Sequence, residues 1–519
     1  MALLVAVIVA DRAETMRVRA MEAFERGADA VELRLDAINE PEQAIAGLAA
    51  TLPSGRWIAT CRSSAEGGKS RGSVEQRVSR VLSAGPAGEG FIDFEFADWD
   101  RSSLARRDIV KQAARSGSRS QTPPLILSHH DFARRPVDLE ALVDRMCAVE
   151  EAAVVKVAWP AEDVFSNFEA LDMMRSSSKD TIAICMGEAG LMSRVLAGKC
   201  GGFASYCALA SDGGTAPGQL TLDAMRGVYR WDRIDTSTHL YGVIGYPVEH
   251  SIGPELFNDA FAVGRVPGVY LPLPVPPTYE DFARFMDECM AREWLDVRGL
   301  SVTLPHKVHA LRYLGENIDP PADVIGAVNT IRIEDGEMWG CNTDSSAAID
   351  TLLAGMECEW EALEGVAVDV LGAGGVARAV VGGLFECGCN VTVYNRSEDR
   401  ARTLADAFEC RVQPWDNRSR GEGSILINCT SVGMWPMADE SPMPADGLRS
   451  EVTVFDTVYR PRRTRLLEDA ARAGCRTIDG LGMFVHQACQ QFEYWTQQSA
   501  DEGRMRSVAE RALGGNGEA

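Results

Sequence analysis

The sequence predicts an α/β chain in two parts, an N-terminal (β/α)8 barrel and a C-terminal unit that carries a dinucleotide-binding domain. Three observations predict it. Short β-rich runs alternate with polar, helix-like stretches eight times over residues 1–236, as an eight-stranded parallel barrel requires. A polar seam near 230–238 ends that pattern, and a new βα alternation starts at THLYGVIGYP, 238–247. VAVDVLGAGGVARAVV at 366–381 then reads as apolar strand, glycine turn and helix, the order in which a Rossmann fold approaches a pyrophosphate. At 519 residues the chain is also too long for one core, so several domains are expected.

Composition narrows the function classes. Hydrophobic residues make up 46% and charged residues 24% of the chain, as in an ordinary globular protein. The net charge of −23 argues against nucleic acid or an anionic membrane as partner, because like charges repel. Small anionic substrates respond instead to local arginines. Fourteen cysteines are scattered without CxxC pairs or zinc-type cysteine–histidine spacing, so no metal site is expected and a reducing, cytoplasmic setting fits. The pair in ECGC, 386–389, is read as incidental. The opening MALLVAVIVADRAE has a strand-length apolar run and no basic start, unlike a secretory signal. No segment is long enough to cross a membrane, and the tail GGNGEA is expected to fray.

The eight runs are LLVAVIVA (3–10), AVELRLD (30–36), WIATCR (57–62), GFIDFEF (90–96), LILSHHD (125–131), AAVVKVAW (152–159), TIAICMG (181–187) and FASYCAL (203–209). An open doubly wound sheet competes, but no glycine-rich phosphate loop follows any of these strands. Barrel chemistry sits at the C-terminal ends of the strands, and the polar interruptions fall largely there. Glu32 and Arg34 are placed at the end of strand 2, Arg62 at the end of strand 3, His130 at the end of strand 5 and Lys156 late in strand 6. Arg194 follows strand 7 in GLMSRVLAG, and GGTAPGQL (213–220) is a Gly/Pro-rich loop after strand 8.

Each residue has an ordinary explanation: a rim ion pair, a loop histidine, a solvated arginine, a lysine snorkelling to water. Their convergence on one barrel end favours chemistry. A lysine amine desolvated among Val, Ala and Trp condenses with a ketone, and the iminium acidifies the adjacent C–H. A nearby histidine removes that proton and protonates a leaving hydroxyl. Arg62 and Arg194 hold a carboxylate in fork geometry.

The motifs ELR, CRSSAEGG, SHHDF, VVKVA, SRV and APGQ make residues 1–236 resemble a type I 3-dehydroquinate dehydratase. The resemblance implies that Lys156 forms a Schiff base with the substrate ketone, that His130 is the general acid/base, and that Glu66 orients it. It also implies that Glu32, Arg34, Arg62 and Arg194 bind ring hydroxyls and the carboxylate. Gln219 would close over the substrate from the TAPGQ loop, and Thr215, also implied to bind it, stands where the family usually has serine and keeps the hydroxyl. A class I aldolase also uses a barrel lysine, but nothing in the loops after strands 7 and 8 looks like a phosphate cup.

In the second half Gly372, Gly374 and Ala377 form G-x-G-x-x-A, with Ala373 and Gly375 completing the loop. The glycines let the backbone reach a pyrophosphate at the helix N-terminus, and Ala377 permits close helix–strand packing. The next strand ends in NVTVYNRSEDR, 390–400. An NAD site places Asp or Glu there for the ribose; this chain places Asn395, Arg396 and Ser397, with Arg400 one helical turn on, which favours NADP. Ahead lie GLSVTLPHK (299–307), GAVNT (326–330) and CNTD (341–344). Lys307 reads either as the first charge of a helix or as a proton donor, and Asp344 either as a helix cap or as its partner. A ketone reductase needs such a donor beside the carbonyl.

HSxxP, VTLPHK, GAVNT, NTD, GAGGVARA, NRS, NCTSVGM, DTVY and MFVHQA make about 238–510 resemble a shikimate dehydrogenase. The resemblance implies Lys307 and Asp344 as the catalytic pair. Ser251, Thr303, Asn329, Tyr459 and Gln487 would bind substrate, with Thr457 and Gly480 beside the nicotinamide. The substrate domain would be discontinuous, 238–345 plus helices at 483–513, around a Rossmann NADP domain at 346–482. One departure stands out: Ser251-Ile252-Gly253 replaces the usual S-x-S. Losing a hydrogen bond to a charged group costs about 1.5–3 kcal/mol, and glycine is expected to free room beside the carboxylate carbon. Oxidation of quinate is therefore the alternative for this half.

Together the halves resemble the bifunctional dehydroquinate dehydratase–shikimate dehydrogenases. They are expected to dehydrate 3-dehydroquinate to 3-dehydroshikimate and reduce it to shikimate with NADPH. A binding or regulatory protein that merely retains the pockets is the alternative from another class, and the intact Lys156, His130, Lys307 and Asp344 stand against it.

Overall fold

The computed structural model describes residues 2–53, 56–85, 90–115, 124–210, 216–248, 250–435 and 437–514. The chain folds as two compact units, Met1–Thr238 and His239–Ala519.

The first unit has eight strands: β1 (Leu3–Ile8), β2 (Ala30–Arg34), β3 (Trp57–Thr60), β4 (Phe91–Glu95), β5 (Leu125–His130), β6 (Ala152–Pro160), β7 (Asp180–Met186) and β8 (Ala204–Ala208). Their order is β7-β6-β5-β4-β3-β2-β1-β8, and every ladder is parallel. The two edge strands meet where Phe203 N–H donates to Thr181 O at 2.9 Å, which brings the sheet close to a closed barrel. Pleating sends alternate residues inward, and Val5, Val7, Ile58, Ile126, Val154, Ala158, Ile182, Ile184 and Tyr206 form one core. Lys156 lies between Val154 and Ala158, so the same alternation turns it inward. Glu32 follows Ala30, and Ser128 and His130 follow Ile126, in the same phase.

Two placements differ from expectation. Lys156 is at the centre of β6, not late in it, because β6 stays paired with β7 as far as Pro160↔Met186. Arg62 lies two residues beyond the end of β3; its backbone N–H donates to Asp36 Oδ1 at 3.2 Å rather than to a neighbouring strand.

The second unit contains two sheets. β9 (His239–Gly245), β10 (Gly268–Pro274), β11 (Val297–Val302), β12 (Thr330–Glu334) and β13 (Glu337–Cys341) form the first, in the order β10-β9-β11-β12-β13. β9 runs parallel to β10 and β11, and the remaining pairs are antiparallel. Asp335 and Gly336, with φ of 52° and 80°, supply the doubly left-handed turn that a tight hairpin needs between β12 and β13.

The second sheet comprises β14 (Ala367–Leu371), β15 (Asn390–Asn395), β16 (Arg411–Pro414), β17 (Ile425–Asn428), β18 (Thr453–Asp456) and β19 (Arg476–Ile478). It is parallel throughout. Its order, β16-β15-β14-β17-β18-β19, reverses beside β14, the switch point at which such sheets bind dinucleotides. The C-terminal helices Leu481–Thr496 and Glu502–Gly514 return to the first sheet. There Phe492, Trp495 and Met505 share a core with Tyr241, Phe257 and Tyr270, and Trp495 Nε1 donates to Ile331 O at 3.0 Å.

Candidate active sites

At the C-terminal end of the barrel a cavity is lined by Glu32, Arg34, Arg62, Glu66, His130, Lys156, Arg194 and Gln219, with Phe132, Met186 and Tyr206 among the apolar walls. Thr215 lies outside the described residues. Lys156 Nζ donates to Glu32 Oε1 at 3.3 Å and to Asp93 Oδ2 at 3.2 Å, and lies 4.0 Å from the Tyr206 ring centroid. Arg62 is bound to Asp93 Oδ1 at 2.7 Å and to Ser128 Oγ at 2.8 Å. Arg34 is held by both oxygens of Asp36, at 3.0 and 2.9 Å, so its rim partner is Asp36. Arg194 is buried, and among the described residues its guanidinium makes one long bond, to Pro217 O at 3.4 Å, and its Nε finds no partner. Burial pulls that guanidinium down to about 10. A buried cation with unspent donors is suited to an anion entering the cavity.

His130 and Glu66 form a pair. Oε2 of Glu66 accepts the His130 backbone N–H at 3.0 Å and stands 3.1 Å from Nδ1. Burial, aided by Arg62, Lys156 and Arg34, pulls the imidazole well below the usual histidine range. Burial also pushes Glu66 up to about 8, with Arg62 opposing and Glu95 and Asp93 adding to the rise. While Glu66 keeps its proton it donates to Nδ1, which leaves the ring hydrogen on Nε2. Once Glu66 ionises it accepts Nδ1–H, and Nε2 becomes a free base.

Asp93 was not among the expected residues, yet it joins Lys156 to Arg62. Burial would raise its carboxyl, but Arg62 and Lys156 hold it below the usual carboxylate range. The signal for it was a charge inside the apolar run GFIDFEF, the same signal that marks Lys156. Glu95, two residues on in the same run, carries that signal as well, whereas Ser128 and Tyr206 carry none beyond their place on the strands.

In the second unit Lys307 and Asp344, each the first residue of a helix (Lys307–Leu314 and Asp344–Met356), form a buried ion pair through Nζ and Oδ2. Asn342 Oδ1 accepts the Asp344 N–H at 3.0 Å, fixing the turn that presents the carboxylate. Asn329 ties the two strands together: Oδ1 accepts Thr343 N–H at 2.9 Å, and Nδ2 donates to Thr343 Oγ1 at 3.0 Å. Thr303 N–H donates to Ile244 O at 2.9 Å, beside the end of β9. Tyr459 stacks on Phe484, ring centroids 4.4 Å apart, and Gln487 Nε2 donates to Phe484 O at 2.8 Å.

Ser251 Oγ accepts Gly253 N–H at 3.1 Å. The room expected beside Gly253 is filled. A Cβ there would stand 2.9 Å from Tyr270 Cε1 and 3.1 Å from Ser251 Oγ, and the Tyr270 ring is fixed by its hydroxyl donating to Ser301 Oγ at 2.7 Å. Tyr270, Ser301 and Gln491, which continues that chain at 2.6 Å, were not expected, since tyrosine and serine inside an apolar strand carry no distinctive pattern.

The glycine loop follows β14. Gly372 has φ +110°, and a Cβ there would lie 3.0 Å from Cys429 O. Gly374 precedes the helix Gly375–Glu386 and has open space around its Cβ position; Ala373 flanks it partly buried. A Cβ on Gly375 would come within 3.2 Å of Lys307 Cδ, so the helix N-terminus begins beside the Lys307–Asp344 pair. At the end of β15 the Asn395 side chain donates to Ser397 O at 2.8 Å, while Arg396, Ser397 and Arg400 are exposed. Thr457 Oγ1 donates to Asn428 O at 2.9 Å, and at Gly480 a Cβ would meet Thr457 O at 2.6 Å. The donor set fits a phosphorylated dinucleotide: a helix N-terminus over an open glycine loop for the pyrophosphate, and exposed Arg396 and Arg400 after a strand that ends in Asn395 rather than Asp or Glu. Among the described residues no group of three or more His, Cys, Asp or Glu side chains is arranged to hold a metal.

Comparison with known proteins agrees with this geometry. Residues 4–236 match the family described as type I 3-dehydroquinase, and 243–331 match the shikimate dehydrogenase substrate binding domain. Residues 367–433 match NADP oxidoreductase, coenzyme F420-dependent, and 480–510 the shikimate 5'-dehydrogenase C-terminal domain. The chloroplastic bifunctional 3-dehydroquinate dehydratase/shikimate dehydrogenase of Arabidopsis thaliana is 34% identical over 512 residues, 95% of this chain and 82% of that one. The chain belongs to the bifunctional 3-dehydroquinate dehydratase/shikimate dehydrogenase family. Its dehydrogenase half is also similar to the shikimate dehydrogenase (NADP(+)) of Dehalococcoides mccartyi strain CBDB1, 37% identical over 53% of this chain and 97% of that one. A solved shikimate dehydrogenase in complex with NADP+ matches 54% of this chain and 97% of its own at 34% identity, with a TM-score of 0.50. No helix among the described residues is long and apolar enough to cross a membrane.

Proposed function

We propose that this bifunctional chain catalyses two consecutive steps, dehydration of 3-dehydroquinate to 3-dehydroshikimate in the barrel and NADPH-dependent reduction to shikimate in the second unit. The observation that carries the proposal is Lys156, an inward amine between two carboxylates at 3.2 and 3.3 Å, facing a cavity it shares with His130 and Arg194. The dehydratase is assigned to 1–236, substrate binding in the dehydrogenase to 238–345 with 483–513, and NADP binding to 346–482.

In the barrel, the Lys156 amine attacks the ketone carbon, and Glu32 or Asp93 is in reach to take the proton it loses. Expulsion of water leaves an iminium that acidifies the neighbouring C–H. His130 takes that proton on Nε2 and returns it to the leaving hydroxyl, with Glu66 steadying Nδ1. Hydrolysis of the iminium releases 3-dehydroshikimate and restores the amine. Arg194 and Arg62 neutralise the substrate carboxylate, and Glu32 and Arg34 face its hydroxyls.

In the second unit Gly372, Ala373, Gly374 and Gly375 would hold the pyrophosphate, Asn395, Arg396, Ser397 and Arg400 the 2′-phosphate end, and Thr457 and Gly480 would border the nicotinamide. NADPH supplies a hydride when bound. Lys307 delivers a proton to the ketone oxygen, and Asp344 holds the ammonium in place for it. Ser251, Thr303, Asn329, Tyr459 and Gln487 orient the acid. Shikimate is favoured over quinate: the relatives named above are described as shikimate dehydrogenases, and the space beside Gly253, on which the quinate reading rested, is filled by Tyr270. The fourteen unpaired cysteines suit a reducing compartment, which supports the cytoplasm as the location.

Borohydride trapping tests the barrel chemistry. With 3-dehydroquinate present, reduction should add one substrate-derived mass to the peptide carrying Lys156. Inactivation without any adduct on that peptide would overturn the Schiff-base assignment.

A further inference from the structure

Behind the barrel cavity lies a second layer of charge that the catalytic scheme does not use. Glu95, two residues after Asp93 on β4, is buried and does not line the cavity. Its Oε1 accepts the Ser63 N–H at 2.7 Å and lies 3.7 Å from Arg62 Nη1. Its Oε2 faces Arg77 Nη2 at 3.6 Å. Arg77, buried on the helix Val74–Ser83, also pairs with Asp98, and its Nη1 donates to Gly72 O at 3.2 Å. Ser73 and Gln76 close a capping box at the start of that helix. The loop from Arg62 through Glu66 to Gly72 is thus fastened at both ends to this cluster.

Three carboxylates compete for Arg62: Asp93 at 2.7 Å, Glu66 at 3.6 Å and Glu95 at 3.7 Å. Its productive place is on Asp93, which also holds Lys156. A buried carboxylate demands a counter-charge, and Arg77 supplies one to Glu95 from the side away from the substrate. We propose that Arg77 is a positioning residue of the dehydratase, which by satisfying Glu95 keeps Arg62 on Asp93 and holds the loop that presents Glu66 to His130. The proposal rests on the dehydratase function assigned to the barrel. Without Arg77, Glu95 draws Arg62 toward itself and away from Glu66, which then loses its nearest cation; Asp93 keeps Lys156, and His129 and His130 are the other titratable neighbours of Glu66. Glu66 then ionises at higher pH, and the free-base form of His130 appears later.

The test uses the full-length protein with 3-dehydroquinate, measuring kcat and KM against pH. Arg77→Met should move the acid limb of kcat/KM upward by about one pH unit, which is about a tenfold loss at pH 7, although Arg77 itself does not line the cavity. Arg77→Lys should keep the wild-type limb, and adding Glu95→Gln to Arg77→Met should bring the limb back. An Arg77→Met enzyme with the wild-type limb and kcat, or a double variant still displaced, overturns the proposal. If Arg77→Met alone does not fold, Arg77→Gln is measured in its place, with the same upward shift expected and a wild-type limb overturning the proposal. A wild-type chain that does not dehydrate 3-dehydroquinate would instead overturn the dehydratase assignment itself.

Discussion

A glutamate carboxyl beside a histidine ring sets the predicted pH behaviour of the barrel. Burial pushes Glu66 up to about 8, and with His130 as the proposed base its ionisation frees Nε2, so dehydratase kcat/KM should rise with pH through that region. Glu66→Gln offers an amide oxygen to Nδ1–H at every pH, so it should shift the rise to lower pH while retaining activity. A profile identical to wild type would contradict the dyad. Lys156 was legible in the sequence because a charge in a run of valines is physically expensive. Asp93 offered the same clue, but Asp93 and Glu95 alternate with phenylalanines, which reads as a half-exposed strand until the barrel shows that its polar side faces inward. The pairing of Arg34 with Asp36, and the tyrosine that fills the space beside Gly253, depend on side-chain directions that sequence spacing does not carry.

At the scale of elements, strand identities were readable and their ends were not. The predicted runs overrun β1, β2 and β3 by about two residues, since apolar side chains continue past the last ladder bond into the loops. The glycine loop was legible because its backbone conformation restricts the residue type. Its approach to Lys307 was not, as it joins segments almost 70 residues apart, at 307 and 375. The exposed arginines after β15 should select the phosphorylated cofactor. Arg396→Ala together with Arg400→Ala should weaken NADPH binding by ~10–100-fold, as expected for loss of charge-assisted bonds to phosphate worth about 1.5–3 kcal/mol, and leave NADH binding little changed. Fluorescence titration of the reduced cofactors measures this without turnover; equal loss for both would contradict it. Gly374→Val should abolish binding of either cofactor, because a branched side chain enters the space over the helix N-terminus, while dehydration continues.

Across the whole molecule the two units carry separate chemistries on one chain, and the seam between them was visible as a change of pattern near 238. Substitutions in one active site should therefore leave the other step intact. The most direct test of the bifunctional assignment follows NADPH oxidation by purified protein given 3-dehydroquinate as sole substrate, in parallel with wild type and Lys156→Ala. The account predicts that wild type oxidises one NADPH per 3-dehydroquinate, and that Lys156→Ala oxidises none from 3-dehydroquinate but keeps its wild-type rate from 3-dehydroshikimate. NADPH oxidation from 3-dehydroquinate that survives Lys156→Ala would contradict it, as would a wild-type chain that forms the enone yet leaves NADPH untouched.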